Sequence, residues 1–183
     1  MDYKDIYPMR TASGRNALRD IVIQACKRLG GRSGLTIVEV GSYAGESSDV
    51  FACMDEVAKL WCVDPWKMGY DDGDLASHSD FSKVEARFDE VAKRHGTKIS
   101  KFKGVLRDFV LHHGDICPDM VYIDACHTYE ACRDDIAQAL RLRPCIVCGH
   151  DYARNFPGVM KAVDEVFGSD GIDRFQDTSW MER

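Results

Sequence analysis

The sequence predicts an α/β domain: a mainly parallel sheet with helices on both faces. Three observations predict it. Short apolar runs rich in β-branched residues alternate along the chain with segments whose apolar residues recur at helical spacing. The first such run, Leu35 to Val40, passes at once into a glycine-containing turn and then into a helix. Four predicted strands end in acidic or acid–histidine residues, namely Glu39, Asp64, Asp124 with His127, and His150 with Asp151. In such sheets ligands bind outside the carboxyl ends of the strands, so this edge is expected to carry the site.

The elements follow in order. Met1 to Ser13 is expected to be a loose N-terminal arm. A helix over Gly14 to Leu29 places Ala17, Leu18, Ile21, Val22 and Ala25 on one face, and Gly30-Gly31 stops it. The first strand and its turn come next, then a short helix from Gly45 to Met54. Lys59 to Trp66 reads as a second strand, ended by Pro65, which cannot donate to a ladder. The polar, glycine-containing run Lys67 to His78 reads as a loop overhanging the sheet edge. Ser79 or Asp80 caps a helix running to His95, with Phe81, Val84, Phe88 and Val91 inward. A third strand from Ile99 to Gly104 leads into a short helix, Val105 to His113. A fourth strand, Pro118 to Cys126, precedes a helix from Tyr129 to Leu142. A fifth, Cys145 to Tyr152, precedes a helix from Phe156 to Phe167 with Pro157 in its first turn. One last strand is expected across Arg174 to Met181.

Composition sets the outer bounds. The 183 residues suit one domain with a full-sized core, and 45% are hydrophobic. A formal net charge of −6 argues against tight binding to a nucleic-acid backbone, which calls for a basic face. No apolar run is long enough for a membrane span, and the acidic N-terminus is not a secretory signal. The eight cysteines are scattered through the predicted elements, which suits buried free thiols in a reducing cytoplasm. Cys145 and Cys148 form a C-x-x-C, but three residues apart on a strand they point to opposite faces, so zinc is not expected there.

The run LTIVEVGSYAGESS spans Leu35 to Ser48. Ser47 and Ser48 open a helix whose free N–H groups favour a polar or anionic ligand group. Glu39 is a carboxylate near the end of an apolar strand, placed to face the crevice and bind a cation or hydroxyl. The glycine pattern is not G-x-G-x-x-G, because Tyr43 stands in the place of the second glycine, where close approach of a pyrophosphate is hindered. Asp64 lies 23 residues beyond Gly41 at the end of the next strand, the place of an acid that accepts both hydroxyls of an adenosine ribose.

Glu-x-Gly-x-x-x-Gly at Glu39 to Gly45 resembles motif I of the class I S-adenosylmethionine (SAM)-dependent methyltransferases. VDPW at Val63, VYIDACHTYEACRDDI from Val121 and CGHDYARNFPGVMKAVDEVFG from Cys148 look like the subgroup that includes sugar and macrolide O-methyltransferases. The likeness runs from about Leu35 to the C-terminus. It implies a Rossmann-like class I methyltransferase fold in a single domain over 1–183. It also implies SAM contacts from Glu39, Gly41, Ser42, Tyr43, Gly45 and Ser47 in the turn, and from Asp64, Pro65 and Trp66 after the second strand. Gly104, Val105 and Leu106 would lie beside the adenine, and Asp124 would complete the cofactor site. Several members hold Mg²⁺, so the resemblance implies Asp124 and Asp151 as ligands, with His127 as general base and Asp124 and His150 alongside it in catalysis. Two positions depart from the metal-dependent pattern: Asp124-Ala125-Cys126 replaces D-G-D, and Tyr152 stands where a third acid or amide is usual.

The resulting expectation is methylation of a hydroxyl on a small acceptor such as a sugar. Other readings keep the fold but use an amine, protein or nucleic acid as acceptor, or make the chain a non-catalytic SAM-binding subunit. An NAD-dependent oxidoreductase is disfavoured by Tyr43. The short chain leaves little for a lid over the acceptor, so two arrangements are open: an open pocket, or one completed by a partner subunit in a homo-oligomer.

Overall fold

A computed structural model describes residues 10–183. Seven strands form one sheet in the order β3-β2-β1-β4-β5-β7-β6. β1 (Leu35–Val40), β2 (Val57–Asp64), β3 (Ile99–Lys103), β4 (Met120–Ile123) and β5 (Ile146–Gly149) are parallel. β6 (Ile172–Arg174) and β7 (Trp180–Glu182) are antiparallel to each other, and β7 is antiparallel to β5. The helices are α1 (Ala12–Arg28), α2 (Glu46–Ala52), α3 (Phe81–His95), α4 (Leu106–His113), α5 (Tyr129–Arg141) and α6 (Pro157–Phe167).

Strand periodicity sorts the core into two layers. Leu35 and Ile37 of β1 face a cluster with Ile21 of α1, Phe51 of α2 and Phe88 of α3. Val38 and Val40 face the opposite cluster, with Phe109 of α4, Ile136 of α5 and Val163 of α6. Each strand therefore reads as nearly continuous apolar sequence, as a sheet covered on both faces requires. Helix starts are set locally: the Thr11, Asp80 and Thr128 side chains accept N–H bonds at α1, α3 and α5, and Pro157 opens α6.

Two expectations change. The single last strand is a hairpin, because the chain turns at residues 175–179, with Thr178 at φ 73° and Phe175 N–H donating to Ser179 O at 2.9 Å. The expected loose arm falls largely on residues 1–9, outside the described residues. Its described end is not loose, since α1 begins at Ala12 and Arg10 is tied into the body of the protein. Among the described residues no helix is long and apolar enough to cross a membrane.

Candidate active site

After β1 the chain crosses to β2 and β3 on one side, and it returns to β4 and β5 on the other. The strand order therefore reverses between β1 and β4, which opens a crevice at their carboxyl ends. The ladder extends one residue beyond the strands: Gly41 N–H donates to Val63 O at 2.9 Å, Asp124 N–H to Val40 O at 2.8 Å and His150 N–H to Ile123 O at 2.9 Å. These bonds fix where each loop leaves the sheet. Gly41 sits at φ +86°, and a Cβ there would lie 2.0 Å from the Asp124 carbonyl oxygen.

Two cavities meet over this turn. The first, about 270 Å³, is walled by Val40, Val63, Pro65, Val105 and Leu106, with Asp64 among its polar groups. The second, about 260 Å³, is lined by Ser42, Ser47, His127, His150 and Asp151, with Phe156 as an aromatic wall. Gly41, Tyr43, Asp124 and Tyr70 border both. Tyr70 comes from the loop expected to overhang the edge.

Asp64 accepts Tyr43 N–H at 2.9 Å on one oxygen and Trp66 N–H at 2.6 Å on the other. Burial raises its pKa, against the two amides. Each oxygen keeps a lone pair for a ligand. Tyr43 and Trp66 both adopt positive φ, 45° and 44°. Tyr43 takes a backbone conformation favoured by glycine, and its hydroxyl donates to Ser79 Oγ at 2.8 Å.

Three expected cofactor contacts lie elsewhere. Glu39 does not face the crevice. It shares the α1–α3 side of β1 with Leu35 and Ile37, is fully buried, and accepts from the hydroxyls of Ser42 (2.7 Å) and Ser48. Burial pushes its carboxyl up, opposed by the hydroxyls of Ser47, Ser48 and Ser42. It braces the glycine turn from behind. Gly45 at φ +84° packs against α3, where a Cβ would meet Val91 at 3.1 Å. Trp66 turns into the core against Phe88, ring centroids 4.7 Å apart, and its indole N–H donates to Tyr43 O at 2.8 Å.

The second cavity holds a network of alternating charge. His127 Nε2 lies 2.9 Å from Asp151 Oδ2, and His150 Nδ1 lies 3.1 Å from Asp151 Oδ1. His150 also faces Asp124 at 3.8 Å and Asp177 at 3.6 Å. His127 Nδ1 is buried without a hydrogen-bond partner, with Asp71 3.4 Å away. Burial pulls the His127 imidazole down, but the bond to Asp151 and the charges of Asp151, Asp124 and Asp74 outweigh it, so its pKa rises above the usual value. Against the same burial, Asp124, Asp151 and Asp177 push His150 up to about 10. Asp151 resists the upward push of burial and titrates well below the usual carboxylate range, because both histidines donate to it.

Sequence reading missed Arg10, whose guanidinium bonds to Asp124 and lies 3.5 Å from Asp177. It also missed Asp71, which accepts the His127 backbone N–H at 3.1 Å. Nothing local marks Arg10, since its partner is 114 residues away in sequence. An acid-rich glycine loop was a weak signal for Asp71.

Asp124, His127 and Asp151 offer ligand atoms that all lie within 4.8 Å of one another, close enough for one cation. Their oxygens are engaged, however: Arg10 holds Asp124, and the two histidines hold Asp151. Mg²⁺ favours an all-oxygen octahedron, and a guanidinium cannot give up its charge to make room for it. As arranged, these residues do not fit Mg²⁺. Tyr152, in the place of a further ligand, donates its hydroxyl to Asp164 on α6 at 2.6 Å. Cys145 is exposed and Cys148 buried, and all eight cysteines are free.

Sheet order, glycine turn and paired cavities together define a class I methyltransferase. Residues 38–152 match the family model described as a methyltransferase domain, and the chain belongs to that family of SAM-dependent enzymes. No curated protein sequence matches it. Among solved structures, the O-methyltransferase NovP superposes with a TM-score of 0.68 at 16% identity, over 92% of this chain and 79% of that one. An O-methyltransferase from Bacillus cereus in complex with S-adenosylhomocysteine gives 0.64 at 12% identity, over 97% and 83%. TomG from Streptomyces achromogenes, an O-methyltransferase of tomaymycin synthesis bound to SAM, gives 0.60 at 14%, over 95% and 81%. At these identities the likeness is one of fold.

Proposed function

We propose that the chain transfers the methyl group of SAM to a hydroxyl of a small polyhydroxylated acceptor such as a sugar, in the cytoplasm and without Mg²⁺. The observation that carries this is the Asp151–His127 pair beside the junction of the two cavities. Adenosine suits the apolar first cavity, with its ribose hydroxyls on Asp64. The methionine end passes Gly41, Ser42 and Ser47 into the second cavity, where Asp124, Asp151 and Phe156 offer hydroxyl acceptors and a ring face to a sugar.

Asp151 orients the His127 ring at Nε2, and Asp71 and Asp74 lie 3.4 and 3.9 Å from Nδ1. The His127 imidazole takes the proton of the acceptor hydroxyl, the oxygen attacks the methyl carbon in line, and sulfur leaves as S-adenosylhomocysteine. His150, protonated near neutrality, acts as a clamp on Asp151 and not as the base. Free thiols throughout suit a reducing compartment. The balance of −6 speaks against a nucleic-acid acceptor.

SAM turnover across a panel of sugars, phenols, amines and RNA tests the reading. Methylation of a sugar or phenol is expected. Labelling confined to amines or RNA overturns the hydroxyl acceptor, and SAM binding with no turnover on any acceptor favours a binding subunit. Asp64→Asn is expected to weaken SAM binding roughly 10–100-fold by calorimetry, from losing charge-assisted bonds of about 1.5–3 kcal/mol. Unchanged affinity would remove Asp64 from the ribose site.

A further inference from the structure

We propose that Arg10 is a built-in cation occupying the place of a divalent metal beside Asp124, so that the chain positions its acceptor with a guanidinium. Arg10 is held at every part. Its backbone N–H donates to Glu46 Oε2 at 2.8 Å. Arg15 Nη1 binds the Arg10 carbonyl at 2.8 Å and Glu46 Oε1 at 3.0 Å, locking the segment onto α2. Thr11 then caps α1, which fixes the chain direction immediately after Arg10.

So anchored, the side chain reaches between two carboxylates from separate parts of the sheet. It bonds to Asp124 after β4 and lies 3.5 Å from Asp177 in the β6–β7 turn. The Tyr122 hydroxyl accepts from it at 3.4 Å. Its side chain is only 13% exposed, yet Arg10 lines the second cavity with Asp124, His127 and Asp151. A planar guanidinium stays charged at any working pH and carries five donors, so it can hold a carboxylate and an acceptor oxygen together.

A second observation, read from sequence, agrees. Ala125 and Cys126 follow Asp124, and Tyr152 follows Asp151, so the further carboxylate or amide oxygens of the metal-dependent pattern are absent. Asp124 and Asp177 remain beside Arg10, which supplies the positive charge between them. Arg10 is a positioning residue through Asp124, and its effect on turnover rests on the O-methyltransfer reading. Its effect on metal binding does not.

The test is Mn²⁺ titration of the full chain, followed by electron paramagnetic resonance and calorimetry. Wild type is expected to show no saturable site in the low-millimolar range, and EDTA leaves its turnover unchanged. Arg10→Ala is expected to gain one Mn²⁺ site at least about tenfold tighter than wild type, on the scale by which neighbouring groups tune metal affinity. Asp124→Asn added to that variant removes the site. Arg10→Met keeps the apolar stem, should Arg10→Ala fold poorly by circular dichroism, and is expected to gain the same site. Turnover of the metal-gaining variant becomes dependent on added Mg²⁺, whereas Arg10→Lys keeps part of the metal-free rate. A saturable Mn²⁺ site or EDTA inhibition in wild type overturns the proposal, as does a folded Arg10→Ala or Arg10→Met with no new site. If no acceptor is methylated, the reaction assignment fails while the Mn²⁺ arm still decides the role of Arg10.

Discussion

His127→Ala lowers methyl transfer by about 10²–10⁴-fold, the usual worth of a positioned general base. SAM affinity falls far less than turnover, because His127 lines the second cavity and not the first, where the adenosine is placed. His127 differs from an ordinary core histidine in how its two nitrogens are treated. Nε2 is oriented by Asp151 at 2.9 Å, while buried Nδ1 has no hydrogen-bond partner. Nδ1 instead faces the carboxylates of Asp71 and Asp74, at 3.4 and 3.9 Å. The pH profile carries an independent check. Only the neutral imidazole accepts a proton, and Asp151 raises its pKa against the opposing effect of burial. The rate therefore climbs as pH rises through a value above the ordinary ~6.5 and levels off beyond it. In His127→Ala that ionisation disappears from the profile. Asp151→Asn removes the negative charge, so the inflection should move down toward the unperturbed value. Full activity in His127→Ala, or a profile with the wild-type inflection intact, would show that another group takes the proton.

Much of this arrangement was legible in the chain, for identifiable reasons. β1 and its turn stood out because β-branched residues run straight into Gly41, and the amphipathic α3 because Phe81, Val84, Phe88 and Val91 share one face. The strand-end acids were legible because residues that end a covered strand have few places to go except the sheet edge. The misreadings have equally local causes. Glu39 was read from its nearness to the strand end, but the two-residue period of the strand puts it with Leu35 and Ile37, facing Ser48 on α2. Trp66 follows Asp64 in the loop, and its positive φ turns the ring back onto Phe88. The hairpin between β6 and β7 was hidden because two three-residue strands leave almost no alternation to detect. Arg10 was invisible for a deeper reason: its role exists only when four distant segments meet, and no pattern within any one of them encodes the meeting.

Gly41→Ala is expected to abolish SAM binding and to lower folding stability by roughly 3 kcal/mol or more. Two costs combine. The left-handed backbone at φ +86° disfavours any side chain, by about 1–2 kcal/mol. In addition, the new methyl would sit 2.0 Å from the Asp124 carbonyl oxygen and 2.8 Å from Ala125 Cα, both backbone atoms that cannot rotate away. Relief requires the ends of β1 and β4 to separate, yet Asp124 N–H is bonded to Val40 O at 2.8 Å in that same place. Separation would break this bond, displace Asp124 from Arg10 and distort the wall shared by both cavities. Gly31 isolates the first cost, since it has φ +82° and nothing within 4 Å of its would-be Cβ. Gly31→Ala should therefore lose only about 1–2 kcal/mol and bind SAM as wild type does. Urea unfolding and SAM calorimetry on the pair separate strain from collision. If both variants lose the same stability, or if Gly41→Ala binds SAM normally, close contact between the β1 turn and the end of β4 is not what shapes the cofactor site.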